Sequence, residues 1–216
     1  MLKKEDIIKI VDSMAGKYAA HEILQDWFKM YAIAISNFTD IIKNDISKKR
    51  EMEYKTIAEK YNKTDFEKFG EIGAILVDCL NREPDDVLGH VYMLAAARSN
   101  NAGQFFTPFN ISELVVGLSS SQIDISKPVI EVNEPSVGSG GMIIAMYKYI
   151  KMHGGNPQKQ LRVIANDIDY RCVYMTYIQM SLLGIKGIVY QADTLSLGKV
   201  NPEQVFYTPG KRGLLI

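Results

Sequence analysis

Glycines 138, 140 and 141, set between an apolar run and a helix-like one, are the residues best placed to meet a ligand. The stretch Asn133-Glu134-Pro135-Ser136-Val137-Gly138-Ser139-Gly140-Gly141 follows Pro128-Val129-Ile130-Glu131-Val132, which reads as a strand. A strand, glycine loop and helix in succession turn sharply and let a ligand approach main chain that has no Cβ in the way. The chemistry that this suits is binding of a nucleotide-type cofactor. Taken alone, the glycines are explained as well by a tight turn. Asn166-Asp167-Ile168-Asp169 adds a carboxylate at the end of a second strand-like run, where it can accept two hydrogen bonds from ribose hydroxyls. A third run ends at Gln191-Ala192-Asp193-Thr194-Leu195 with a carboxylate and a hydroxyl at the same sheet edge. One of Asp167 and Asp169 is expected to cap the following helix and the other to bind; for Asp193 the competing role is that of a turn residue.

The elements that must position these groups alternate. The patterns predict a strand near 128–133, a helix over about 140–152, a strand from Leu161 to Ala165, a helix over about 170–183 and a strand from Gly187 to Tyr190. Gly154-Gly155-Asn156-Pro157 and Gly184 supply the stops. Such alternation implies parallel strands joined by crossover helices. Upstream, from Lys3 to about Arg98, apolar residues recur at helical spacing: Ile7, Ile8, Val11, Met14; Leu24, Trp27, Phe28, Tyr31; Phe66, Phe69, Ile72, Leu76, Leu80. Four or five helices and no strand are expected there, with a break at Asn81-Arg82-Glu83-Pro84. A polar turn at Ser99 to Gly103 sets a boundary between a helical domain, residues 1–100, and an α/β domain, residues 101–216. Asn110 and Glu113 have capping-box spacing for one short helix before the first strand.

With 216 residues, 47% of them hydrophobic, the chain can bury a substantial core without disulfides or metal. Its 25 basic and 25 acidic residues balance, so any affinity for nucleic acid must come from a local patch. Cys79 and Cys172 lie in helix-like apolar patterns, which suits reduced thiols and a cytoplasmic protein. No uninterrupted apolar stretch approaches a membrane span, and neither export nor membrane insertion is expected. His21, His90 and His153 are scattered, the two cysteines lack ligand spacing, and no metal site is indicated. The best basic cluster, Lys43 to Arg50, is interleaved with Asp45 and followed by Glu51 and Glu53; it reads as a solvated helix face.

The ordered motifs together resemble the N6-adenine DNA methyltransferases that serve as modification subunits of type I restriction systems. Gly103-Gln104-Phe105-Phe106-Thr107-Pro108 resembles the segment that precedes the fold and closes over S-adenosylmethionine. Glu134-Pro135-Ser136-Val137-Gly138-Ser139-Gly140-Gly141 resembles the first cofactor motif, with Glu134 for Asp and Val137 for Cys. Asn166-Asp167-Ile168-Asp169 resembles the acidic motif, and the resemblance puts Asp167 on the ribose hydroxyls. Asp193-Thr194-Leu195 resembles Gly-Asp-Thr-Leu with Ala192 for Gly, and puts Asp193 on the adenine amino group. Asp85-Asp86-Val87-Leu88-Gly89 resembles a family element in the helical region. The implied fold is a partial doubly wound, Rossmann-like, S-adenosylmethionine-dependent methyltransferase domain behind an all-helical one. Gly138 and Gly140 would bring main chain to the amino-acid end of the cofactor, whose carboxylate favours the positive end of the helix starting near Gly140. Phe105 or Phe106 would cover the cofactor while Thr107 offers a hydroxyl, and one of the two rings would serve only in packing.

The family's catalytic motif, Asp, Asn or Ser followed by Pro-Pro and an aromatic, is not in this chain. In the family it receives the adenine amino group and stacks on the flipped base. Asn201-Pro202 with Phe206 four residues later is the nearest string, and a turn is the better reading of it. On the resemblance, the chain stops before the fourth strand of the fold, which lies beside the first; the first strand then becomes an edge that must be covered. Gln204-Val205-Phe206-Tyr207 or Gly213-Leu214-Leu215-Ile216 would supply the cover, or a partner would. The expected function is that of an S-adenosylmethionine-dependent, DNA adenine-N6 methyltransferase-like protein that works through a partner or a further segment. DNA and a specificity or methyltransferase subunit, or a second copy, are the implied partners. A non-catalytic cofactor-binding or assembly module is the alternative. A nicotinamide-dependent oxidoreductase fits less well, because the turn lacks the six-residue dinucleotide spacing.

Overall fold

The structure is a computed structural model that describes residues 2–40, 44–97, 105–196 and 200–212. Five helices come first: α1 (Lys4–Met14), α2 (Ala20–Thr39), α3 (Asp45–Ala58), α4 (Lys63–Arg82) and α5 (Val87–Ala97). The periodic residues read from the sequence are their buried faces: Ile7, Val11 and Met14 of α1, Leu24, Trp27 and Phe28 of α2, and Ile72, Leu76 and Leu80 of α4 are all buried. As expected, the described part of this region holds no strand. The break after Arg82 separates α4 from α5, while the polar turn at Ser99 to Gly103 lies outside the described residues.

The second part runs α6 (Phe109–Leu118), β1 (Ile130–Glu134), α7 (Gly141–Met152), α8 (Pro157–Gln160), β2 (Leu161–Asp167), α9 (Tyr170–Leu182), β3 (Lys186–Gln191) and β4 (Val205–Tyr207). The short α8 stands where only a loop was expected; Asn156 caps it, its side chain accepting the Lys159 N–H. The expected capping box at Asn110 and Glu113 does not form: the N-cap of α6 falls two residues earlier, at Pro108, with no side-chain cap. Proline there already fixes the entry dihedral.

The sheet order is β1-β2-β3-β4, with the first three strands parallel and β4 antiparallel to β3. This is a partial doubly wound, Rossmann-like sheet. Both crossovers run the same way across it, so right-handed connections bring α7 and α9 to the same face. The rows Val132–Val163–Gly187 and Glu134–Ala165–Val189–Phe206 share that face, and Val163, Ala165, Val189 and Phe206 are buried. On the opposite face the row Asn133–Ile164–Ile188–Tyr207 remains accessible, with Ile164 49% exposed.

Residues 205–207 do form a fourth strand, but on β3, not on β1, which corrects one expected cover of the first strand. Residues 213–216, the other candidate, lie outside the described residues. Arg50 decides the placement of β4. From α3 its guanidinium donates to the Glu203 and Val205 carbonyls at 2.9 and 2.8 Å and to Ser36 Oγ at 2.8 Å, and it lies over the Phe206 ring. The basic cluster is therefore only partly a solvated face: Lys48 is exposed, Lys49 pairs with Glu203, and Arg50 is buried. Asn201-Pro202 is a turn, as read from the sequence, and Phe206 belongs to the core with Tyr174 and Tyr177. No helix among the described residues is long and apolar enough to cross a membrane.

Candidate cofactor site

The glycine loop closes on itself at the end of β1. Glu134 Oε1 accepts the Ser136 N–H, Val137 turns inward and donates to the Asn166 carbonyl, and the Gly140 N–H returns to the Val137 carbonyl. Gly138 and Gly140 adopt φ of +56° and +98°, a left-handed conformation that side-chain-bearing residues rarely hold. A Cβ on Gly138 would stand 3.2 Å from the Phe106 ring, so the glycine also allows that close approach. Gly140 is the N-cap of α7, and the free amides of that helix's first turn face the loop.

The end of β2 meets this loop. Asp167 is buried; its Oδ2 accepts the Gly138 N–H at 2.9 Å and its Oδ1 accepts the Asp169 N–H at 2.9 Å. Asp169 is the capping member of the pair: it accepts the Arg171 N–H at the start of α9 and binds the Arg171 guanidinium. The expected division between the two carboxylates is thus seen on its capping side. The end of β3 joins through Thr194, whose hydroxyl donates to the Pro135 carbonyl at 2.6 Å and accepts from Asn166 Nδ2 at 2.8 Å. Asp193 is exposed and accepts the Leu195 N–H, the arrangement of a turn residue.

A cleft of about 210 Å³ lies between the loop and the segment before α6. Of the residues singled out in the sequence, Phe105, Phe106, Thr107, Ser136, Val137, Gly138, Ser139, Gly141 and Asp167 line it. Pro108, Glu134, Pro135, Gly140, Ile168, Asp193 and Thr194 do not line it. Phe106 packs over Gly138 and against Tyr92, whereas Phe105 is 73% exposed at the rim. Gly103 and Gln104 lie outside the described residues.

Ser112 of α6 also lines the cleft and was not found in the sequence; it is buried and its hydroxyl has no hydrogen-bond partner. Two further residues behind the loop were missed. Thr176 of α9 donates to the Gly138 carbonyl at 3.0 Å, and Gln179 of the same helix donates to the Ser139 carbonyl at 2.8 Å. A glutamine amid Cys172, Ile178 and Met180 in a helix-like apolar pattern was the available signal, since such an amide, once buried, requires partners.

The model of the N-6 DNA Methylase family matches residues 83–208, which is more than half of the chain and contains every residue of the cleft. A stretch of 77 residues is 35% identical to the type I restriction enzyme HindI methylase subunit of Haemophilus influenzae, covering 33% of this chain and 16% of that protein. A crystal structure of a putative class I S-adenosylmethionine-dependent methyltransferase from Listeria monocytogenes superposes with a TM-score of 0.44 at 15% identity. That match covers 84% of this chain and 56% of the other. The chain thus spans about a sixth of the length of the methylase subunit it matches.

Proposed function

Because the chain belongs to the N-6 DNA methylase family, we propose that it binds S-adenosylmethionine in the cleft between the glycine loop and Asp167, as part of a DNA adenine-N6 methyltransferase of a restriction-modification system. The observation that carries this reading is the contact of the Asp167 carboxylate with the Gly138 amide at 2.9 Å, beside the first turn of α7. Each oxygen of Asp167 accepts one main-chain N–H and keeps a lone pair for a ribose hydroxyl. The amides opening α7 suit the carboxylate of the amino-acid end. Ser112, with a buried hydroxyl lacking a partner, and Gly138, whose missing Cβ leaves room beside Phe106, fit a ligand with polar groups at this depth. At the mouth, exposed Ile168 offers apolar surface to the adenine ring, and Asp193 has a second carboxylate oxygen for its amino group.

When bound, the cofactor supplies an electrophilic methyl group on its sulfonium. The residues of this chain bind and orient it. The groups that would receive the target adenine, an Asp, Asn or Ser followed by Pro-Pro and an aromatic, are not in the chain, and we assign them to a further segment or a partner subunit. DNA and a specificity or methyltransferase subunit, or a second copy of this chain, are the partners on this reading. The second reading, a cofactor-binding or assembly module without catalysis of its own, is favoured by β1, which among the described residues has a partner strand on one side only. We place the protein in the cytoplasm, where Cys79 and Cys172, neither of them in a disulfide, stay reduced.

Titration calorimetry with S-adenosylmethionine tests the binding claim. Asp167→Ala is expected to weaken affinity by roughly tenfold or more, because charge-assisted hydrogen bonds of this kind contribute about 1.5–3 kcal/mol. Equal heats in both proteins, or none in the wild type, would refute it. Transfer of labelled methyl groups to adenine-containing DNA, with and without candidate partner subunits, separates the two readings.

A further inference from the structure

Asp86 lies 53 residues before Ser139 in the chain, yet the two side chains are in direct contact beneath the glycine loop. Asp86 Oδ2 accepts the Ser139 hydroxyl, and Oδ1 accepts the Gly89 N–H at 3.0 Å and Gln179 Nε2 at 2.9 Å. Gln179 closes the circuit: Nε2 also donates to the Ser139 carbonyl at 2.8 Å, and Oε1 accepts the Leu88 N–H at 3.1 Å. Asp86, Ser139 and Gln179 are all buried. A carboxylate in such a place is costly unless its hydrogen-bonding capacity is met, and here three donors converge on it.

Two features set this group apart from an ordinary core contact. Ser139 is gripped through both its hydroxyl and its carbonyl, and it stands between Gly138 and Gly140, whose backbone is left-handed. The conformation of three consecutive loop residues is thereby tied to α5 and α9. The second feature is Gly89, inside α5. A Cβ there would fall 2.1 Å from Asp86 Oδ2 and 2.4 Å from Ser139 Oγ. Alanine is the better helix former, so the glycine is explained by the room the carboxylate and hydroxyl need.

We infer that Asp86 is a positioning residue for the cofactor loop: with Ser139 and Gln179 it forms a buried latch that fixes the main chain of Gly138 to Gly140 and keeps the Gly138 amide on Asp167. The affinity arm of its test rests on the reading of this loop as a methyl-donor site. The exchange arm does not.

Amide hydrogen exchange across residues 138–141 of the ligand-free protein, and calorimetric titration with S-adenosylmethionine, are measured on the wild type, Asp86→Ala, Asp86→Asn, Gly89→Ala and Ile72→Val. Asp86→Ala and Gly89→Ala are expected to speed exchange in the loop and to weaken the cofactor, each about tenfold, as loss of a buried hydrogen-bonded anchor does. Asp86→Asn should stay within about threefold of wild type in both, because its oxygen still accepts from Gly89 and Gln179 while Ser139 turns its hydroxyl to accept from the new amide. Ile72→Val, in the core of α4, should lower the melting temperature and move neither readout. Loop exchange in Asp86→Ala and Gly89→Ala that matches wild type, or an equal speeding of loop exchange in Ile72→Val at a like loss of melting temperature, overturns the latch. If Asp86→Ala does not fold, Gly89→Ala decides. Absence of any heat in the wild type refutes the cofactor reading, and the exchange arm then judges the latch alone.

Discussion

A carboxylate surrounded by neutral donors titrates differently from one in water, and Asp86 is such a group. Burial pushes its pKa above the ordinary aspartate value, and the hydrogen bonds from Gln179, Ser139 and Gly89 offset only part of that. Its folded pKa therefore exceeds its unfolded one. The stability linked to this group is present in full below the unfolded value and is lost as pH rises through the raised folded value. Asp86→Asn carries no titrating group, so its stability relative to wild type should increase as pH rises above about 4 and level off once Asp86 is ionised. Urea denaturation of both proteins across that range checks this; parallel pH profiles would show that Asp86 titrates as it does when unfolded. The same residue marks how far the site was legible. Gly138, Gly140 and Asp167 declare themselves through local spacing, because turn geometry and strand ends are encoded nearby. Asp86 stood out only through the resemblance of residues 85–89 and Gln179 only as a polar residue in an apolar helix; that both meet the loop is decided by contacts between distant parts of the chain.

At the scale of elements, α3 and β4 show the same limit. The run Lys48-Lys49-Arg50 has the look of a solvated helix face, and its first member is one. Arg50 is drawn inward because its planar fork reaches two carbonyls at the start of β4 and the Ser36 hydroxyl while its face covers Phe206. An ammonium is a single point of donation and cannot reproduce that fork. Arg50→Lys should therefore destabilise the protein by about 1–3 kcal/mol, the cost of leaving buried acceptors without a partner, with no change in charge. Chemical denaturation measures it, and an unchanged midpoint would show that the fork does not hold β4. The apolar character of residues 205–207 was visible in advance, but either edge of a three-stranded sheet can accept a short strand. The choice of β3 is made by α3, on which Arg50 stands, and by α9, whose Tyr177 hydroxyl donates to the Tyr207 carbonyl. Periodicity reports which residues turn inward and is silent on which neighbour they meet.

For the molecule as a whole, the consequential asymmetry is between the two faces of the sheet. Parallel strands are ordinarily covered on both sides, because crossover helices lie on both. Here both crossovers run in one direction, and the helices α7 and α9 cover one face. The other presents Ile164 and Tyr207, 49% and 40% exposed, with Ile188 between them in register. The run Val163-Ile164-Ala165 in β2 gave no warning of this, since consecutive apolar residues are the usual mark of a strand buried on both faces. Contiguous apolar surface of this kind binds hydrophobic probes and other protein surfaces. The purified chain is accordingly expected to enhance the fluorescence of an apolar dye in its folded state, and Ile164→Lys to reduce that enhancement. Because the side chain points out of the core, the substitution should cost no more than about 0.5 kcal/mol, as is usual for a surface position. A large loss of stability, or dye binding that does not change, would mean that this face is not the accessible one.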